Sequence, residues 1–488
     1  MTNVSGMLRA GSVALVAAGL AVGATRVSGS VQLASPGERA GLPESSSVLL
    51  DEAFLVCPGQ QRLGATGLRD VEGDVTVAAA SPDEGVVAGA PVGGSGTVQL
   101  LGGPSSSGLA QTSDRGAVTS ARAAAPDVVI ARGRGALAPG LVATQVWRRT
   151  GGDDRGLAVT PCQLPSSDVW LVGGGGGPSR TERVIVSNPG ANAVSVSFEV
   201  LGRGGPVDDA GDRSISIPPR SREVLSLDAV APDEASPVVH VTASGGVVSA
   251  VLDEQWILGA TGRGIDDSTR ATSPSTDLVV PGVETGSGVW LRLANPGGTE
   301  ALAQVRLLTD KGPVQPDELR AVRVPAGSTL DVVVPSGSPA MGLGIRSDQP
   351  VVAAAWTERR STTGDLMGDF AWTPATPPLR GVSGVLLPGL DGTTKRLLLT
   401  AGSAHATAQV RLGTGDDALV SSVDVPADST VAVDAKGADG VWVVPTSGTL
   451  RGAVSVAGVD AGVPFFSVAS LSDAPVRALS VPVRQVRN

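Results

Sequence analysis

Gly246-Val247-Val248-Ser249-Ala250-Val251, running on to Gln255-Trp256, is matched further along the chain by Pro350-Val351-Val352-Ala353-Ala354-Ala355-Trp356. The pattern also stands in Gly140-Leu141-Val142-Ala143-Thr144-Gln145-Val146-Trp147 and, more weakly, in Gly452-Ala453-Val454-Ser455-Val456. Successive copies begin 106, 104 and 102 residues apart, so the chain reads as four copies of one unit of just over 100 residues. The copies are rich in Val, which favours pleated, half-buried strand surfaces.

Other stations repeat in the same order on either side of this one. Apolar strands ending in glycine open the later copies: Val169-Trp170-Leu171-Val172-Gly173, Leu278-Val279-Val280-Pro281-Gly282 and Val385-Leu386-Leu387-Pro388-Gly389. A second strand turns at Asn188-Pro189-Gly190 and again at Asn295-Pro296-Gly297. Asn and Gly tolerate unusual backbone angles and Pro fixes φ, so a tight turn is expected there. Val194 to Val200 and Ala303 to Leu307 alternate apolar and polar residues, the period of a strand with one buried face. Ile217-Pro218, Val324-Pro325 and Val425-Pro426 each break a strand with a proline turn. About seven strands per copy predict an all-β protein of four tandem immunoglobulin-like β-sandwich domains behind an N-terminal apolar segment. A β-propeller is the alternative, although the unit is twice the length of a usual blade.

The expected domains are 48–165, 166–274, 275–381 and 382–488. Residues 26–47, with Ser35-Pro36-Gly37 and the run Ser45-Ser46-Ser47, read as a flexible stalk. The first domain looks irregular, because Ala78 to Ala125 is dominated by Ala, Gly and Ser and its middle strands are hard to place. Residues 1–25 read as a signal peptide or membrane anchor. Arg9 precedes an uncharged stretch from Ala10 to Thr25, short for a membrane span, and Val22-Gly23-Ala24 offers a small-residue cleavage site. Membrane association is expected only through this segment, and the rest of the chain is expected outside the cytoplasm.

The two cysteines agree with that placement. Cys57 and Cys162 both sit beside prolines, and in an oxidising compartment they read as one disulfide closing a loop of about 105 residues. A net charge of −10 argues against broad contact with nucleic-acid phosphates, so no nucleic-acid partner is expected. Only three lysines occur, with arginine supplying most of the positive charge, a bias typical of a high-GC bacterial genome.

Catalytic chemistry is sparse. His240 reads as a strand histidine, and His405 as a turn residue that happens to follow Ser403 by two positions. No Gly-x-Ser-x-Gly elbow supports a nucleophile. Gly173 to Gly177 lack the Lys-Ser/Thr of a phosphate-binding loop and read as a flexible connection. The acid pairs Asp153-Asp154, Asp208-Asp209, Asp266-Asp267 and Asp416-Asp417 sit near glycines and read as solvated turn residues. No cofactor, metal or catalytic residue is therefore assigned. Trp147, Trp170, Trp256, Trp290 and Trp356 fall at strand stations, whereas Trp372 and Trp442 do not, and those two are the candidate glycan contacts.

The N-terminal apolar segment, Cys57-Pro58-Gly59, Pro161-Cys162 with Pro165, and the Asn-Pro-Gly turns together resemble an uncharacterised family of actinobacterial secreted or membrane-anchored proteins, classed only as a domain of unknown function. The resemblance covers most of residues 48–488. It implies export and an actinobacterial source, and supplies no activity. Thr400-Ala401-Gly402 departs from it where Asn-Pro-Gly is expected. The function expected is that of a non-enzymatic structural or interaction protein of the cell envelope, a string of sandwiches whose partner is an envelope protein or polysaccharide. An envelope polysaccharide-binding protein is the alternative, and a glycan hydrolase using a carboxylate pair the second alternative.

Overall fold

Alternation and its failure together explain the architecture. Val194–Gly202 and Ala301–Thr309 bury every second residue at their start, as strands with one solvated face do. Val142–Arg149 and Ser249–Leu258 instead bury their first six and seven residues without a break, so both of their faces are covered. In the computed structural model, which describes residues 46–87, 94–207, 214–335, 338–362, 366–415 and 417–480, these two kinds of strand belong to two kinds of sheet. Residues Leu49–Ala478 form one compact body; Met1–Val48 with Leu479–Asn488 form a separate unit, and the expected signal peptide or anchor lies outside the described residues.

The protein is all-β, and each repeat is a two-sheet antiparallel sandwich. One sheet has the same four-strand order in every repeat. In repeat I it runs Thr119–Arg122, Asp74–Ala80, Val142–Arg149, Gly156–Pro161. In repeat II it runs Ser221–Ser226, Arg180–Asn188, Ser249–Leu258, Thr261–Ser268. Repeat III uses Thr329–Val333, Gly288–Ala294, Ala340–Arg360 and Gly368–Pro374, and repeat IV uses Thr430–Asp434, Thr394–Ala401, Leu450–Asp460 and Val463–Ser470. The other sheet begins with the strand that opens each repeat. In repeat III the 21-residue strand Ala340–Arg360 passes through both sheets, pairing with Ala301–Thr309 first and with Gly288–Ala294 later.

Repeat I is as regular as the others. Gly96–Gly102 and Ser107–Thr112 form a hairpin in its first sheet, and Asp74–Ala80 is the central strand on which Val142–Arg149 pairs. Its Ala-rich composition reflects close approach, since Ala78, Ala79 and Ala80 are completely buried. Small side chains let a neighbouring sheet pack directly on this strand.

The repeats do not form a string. Four strands, Gly156–Pro161, Thr261–Ser268, Gly368–Pro374 and Val463–Ser470, contact one another in the cyclic order I, II, III, IV and back to I. We call these the axial strands. Around them, the first sheet of one repeat packs on the axial sheet of the next. Trp170 and Val172 of repeat II meet Ala294, Val352 and Ala354 of repeat III. Leu386 and Trp442 of repeat IV meet Ala78, Ala80 and Val142 of repeat I, which closes the ring. At that closure the Leu386 amide donates to Thr144 Oγ1 at 2.9 Å, and Arg411 pairs with Asp83. Head-to-tail packing of this kind closes once the rotation per repeat suits the copy number. It also covers the second face of each axial sheet, which removes the alternation there. The units remain two-sheet sandwiches with their own cores, so closure around an axis does not make them single-sheet blades.

The Asn-Pro-Gly stations work differently from the expected turn. Asn188 and Asn295 are fully buried and lie outside the left-handed region. Asn188 Nδ2 donates to the carbonyls of Asn192, Ile217 and Pro218, and Asn295 Nδ2 to those of Thr299, Val324 and Pro325. Each Oδ1 accepts the amide two residues on, from Gly190 and Gly297. The asparagine is thus a clamp that ties the turn to the neighbouring proline turn. In repeat IV the counterpart is Ala401, one residue later than the sequence match: its amide donates to the Ser429 carbonyl as that of Asn295 does to Ser328, and its methyl cannot clamp.

Candidate functional site

Each axial strand is the last strand of its sheet, so its outer edge carries backbone amides with no partner strand. Buried amides of this kind must find acceptors. Asp369, on the axial strand of repeat III and fully buried, supplies them from the centre of the ring. Its Oδ1 accepts the amides of Ile265 and Phe370, each at 3.1 Å, and its Oδ2 those of Leu157 and Phe466 at 3.1 and 3.0 Å. One carboxylate thereby joins all four axial strands. Asp266 accepts the Trp372 amide at 2.7 Å and the Ser467 hydroxyl at 3.2 Å, while Ser467 Oγ accepts the Val159 amide at 2.9 Å. Burial pushes both carboxyls well above the ordinary range, against the pull of the amides they accept.

Asp267 belongs to a different cluster. With Arg62, Asp253 and Arg183 it forms a buried charged network at the seam of repeats I and II. Gln61 Nε2 donates to Asp267 at 2.7 Å, and Thr160 Oγ1 donates to it at 2.5 Å. Burial pushes Asp267 up to about 6, against the pull of Arg62. The Asp266-Asp267 pair is therefore an axial and seam element, not a solvated turn. Asp154 is likewise buried and pairs with Arg149 at 2.8 Å, whereas Asp153 and Asp417 are exposed. Asp208, Asp209 and Asp416 lie outside the described residues.

The axial strands end together, and where the chain leaves them a mouth of about 410 Å³ opens. All four repeats line it at the same station: Gln163 and Leu164 from repeat I, Arg270 from II, Thr376 from III and Asp473 from IV. Asp168, also on its lining, accepts from the Ser273 hydroxyl at 3.0 Å and lies 2.7 Å from His240 Nε2. His240 is held further by Glu199 at 3.1 Å and by stacking on Trp170, with ring centroids 4.0 Å apart. It is a strand histidine, placed at the rim. Arg270 is half-buried, and burial lowers its pKa against the opposing pull of Asp168.

The remaining candidates divide plainly. Cys57 and Cys162 are bonded and fully buried. Trp372 and Trp442 are both 2 % exposed, so neither presents the ring face that a glycan contact requires. Trp372 Nε1 donates to Glu254 at 2.7 Å inside the II–III seam, and Trp442 sits in the IV–I seam. They escaped a core assignment because the surfaces that bury them belong to neighbouring repeats. Ser403 and His405 are exposed and no hydrogen bond joins them; His405 lies 3.7 Å from Asp424. The glycine run is pinned: Gly175 and Gly176 donate to Glu182 at 2.5 and 2.8 Å, and Gly174 to Glu254 at 3.0 Å. Among the described residues no cluster of three or more His, Cys, Asp or Glu has metal-ligand geometry. The mouth residues Arg270, Thr376 and Asp473 were not singled out in the sequence. Their signal would have been position, each following an axial strand by a few residues.

The fold and this axial site define a closed ring of four β-sandwich repeats that meet at a shared mouth. The chain belongs to a family of unknown function (DUF5719), which it matches over residues 117–436, from inside repeat I to inside repeat IV. No curated protein and no solved structure matches it.

Proposed function

We propose that the protein is an extracytoplasmic, non-enzymatic structural or interaction protein of a bacterial cell envelope, and that it holds its partner at the axial mouth. The observation that carries this reading is the mouth's construction from the same station of all four repeats. Such convergence puts side chains from four sandwiches around one opening, and ligands commonly bind at junctions between domains. The buried Cys57–Cys162 bond supports an oxidising compartment, in line with the apolar N-terminal stretch.

The test is retention of envelope material by the full chain, with polysaccharide and protein fractions assayed separately. Saturable capture that weakens on substituting mouth residues is the expected result. Turnover of an envelope polymer, abolished by substituting one defined site, would overturn it. A second reading, binding of envelope polysaccharide, draws on a groove of about 350 Å³ at the II–III seam, where half-buried Trp290 and Trp356 stack with centroids 4.5 Å apart. It predicts that Trp290→Ala, and not a mouth substitution, abolishes capture of the polysaccharide fraction.

A further inference from the structure

Most buried or half-buried arginines of this protein are spoken for. Arg62 and Arg183 pair with Asp253, Arg292 with Asp331, and Arg451 donates to the Thr376 carbonyl. Arg270, half-buried on the mouth, feels the charge of Asp168 but makes no hydrogen bond or ion pair among the described residues. A guanidinium removed from water without a partner is costly, and it is satisfied by a planar carboxylate from a ligand.

Three further groups on the same lining have spare capacity. Thr376 is 8 % exposed and its Oγ1 makes no hydrogen bond among the described residues; Ser470 Oγ is also buried and makes none. Asp473 accepts the Ser383 hydroxyl on Oδ1 at 3.1 Å and keeps Oδ2 uncommitted. Repeats II and IV do not adjoin in the cyclic order, so Arg270 and Asp473 reach the mouth from opposite sides of the ring. Between them Leu164, Pro377 and Leu471 offer apolar surface. Asp168 is the other charged group on the lining, and its two oxygens already serve His240 and Ser273. Among the described residues no aromatic side chain lines the mouth, so the stacking surface favoured by sugar rings is missing there.

We infer that the axial mouth binds a small zwitterion, a short peptide or amino acid with small apolar side chains, with Arg270 taking its carboxylate, Asp473 its ammonium group and Thr376 an intervening polar group. This deepens the proposed function, on which it rests, by giving the class of ligand.

Titration calorimetry on the full chain tests it with alanyl-alanine as the probe. The companions are N-acetyl-alanyl-alanine, alanyl-alanine amide and glucuronic acid. The free dipeptide is expected to bind, with affinity reduced about tenfold or more by Arg270→Gln and by Asp473→Asn, the scale of a lost charge-assisted hydrogen bond. Arg270→Gln is expected to erase the preference for the free acid over the amide, and Asp473→Asn the preference for the free amine over the acetylated form. Arg270→Lys and Thr376→Val keep the charge and the shape respectively, and thermal unfolding of each variant separates lost binding from lost folding. Unchanged binding in folded Arg270→Gln, tighter binding of glucuronic acid, or no saturable heat from the dipeptide would overturn the inference. Envelope capture that persists in Arg270→Gln and Asp473→Asn but weakens on substituting other mouth residues, such as Leu164 and Thr376, would sink the zwitterion while leaving the envelope reading intact.

Discussion

The seam of repeats I and II and the seam of repeats II and III occupy equivalent places in the ring and are filled with charge and rings in different proportion. At the first, the loop 58–73 carries Arg62 into full burial, where it pairs with Asp253, lies 3.3 Å from Asp267 and covers the Trp147 ring at 4.2 Å. At the second, Trp256, Trp356 and Trp372 pack together, with Trp356 and Trp372 stacked at 6.0 Å and Arg180 over Trp256 at 4.3 Å. Burial pushes Arg180 down to about 10. A ring tolerates either filling because what a seam must do is exclude water and keep its buried charges paired, even where single atoms such as Arg62 Nε and Trp356 Nε1 make no hydrogen bond among the described residues. The first seam relies on ion pairs, and the second adds ring area to pairs such as Arg180–Glu254 and Arg292–Asp331. They should therefore fail differently.

The largest effect is expected at the charged seam. Asp253→Ala takes the shared carboxylate from two buried guanidiniums, leaving Arg62 with Asp267 and Arg183 with the Arg69 carbonyl, and should lower the unfolding free energy by about 3–5 kcal/mol in urea titrations. Arg62→Met should cost clearly less, because Asp253 keeps Arg183 and Asp267 keeps Gln61 and Thr160. Equal losses for the two variants would show that the seam does not work as a charge network. At the aromatic seam, Trp356→Phe should cost about 1–2 kcal/mol through lost stacking and area, with no dependence on salt.

On the axis, Asp266 and Asp369 should respond differently to the loss of their charge. Burial raises the folded-state pKa of Asp266, so the folded protein binds more protons than the unfolded chain just above the ordinary carboxylate value of about 4. Its contribution to stability is present at low pH and is lost as pH rises through the folded-state pKa. Asp266→Asn should lessen the fall, to which the raised carboxyls of Asp267 and Asp369 still contribute, and match or exceed the parent at neutral pH. Asp369→Asn should destabilise at every pH, since it turns an NH₂ group toward two amides that in the parent find an acceptor. Chemical unfolding at stepped pH checks both. The smallest effect lies outside either seam. Arg220 is exposed at φ 51°, where repeat III has Gly327 at φ 65° in the matching proline turn. Arg220→Gly should raise stability by up to about 1 kcal/mol in thermal unfolding, by relieving left-handed strain.

Much of the sandwich was legible in the residues. Val194 to Val200 alternates because one face of that strand meets its own core and the other meets water. The proline stations were legible because Pro218, Pro325 and Pro426 lack the amide a further ladder bond needs, and each stands where its strand stops. The candidate site was hardly legible at all. Asp266, Asp369, Trp372 and Trp442 carry no local mark of burial, and Asp266 beside glycine imitates a turn acid. Arg270 and Asp473 are distant in the chain and become a pair only at the mouth.

By itself the sequence determined the four copies, the strand class of each station and the one disulfide, because these depend on local periodicity, backbone chemistry and a count of two cysteines. Only the tertiary structure decided that the copies close into a ring, which residues fill its seams, and that four strand ends meet in one mouth. The reason is that a residue's second face is covered by whichever repeat the ring brings to it, and closure depends on the packing angle between repeats, which no single repeat encodes.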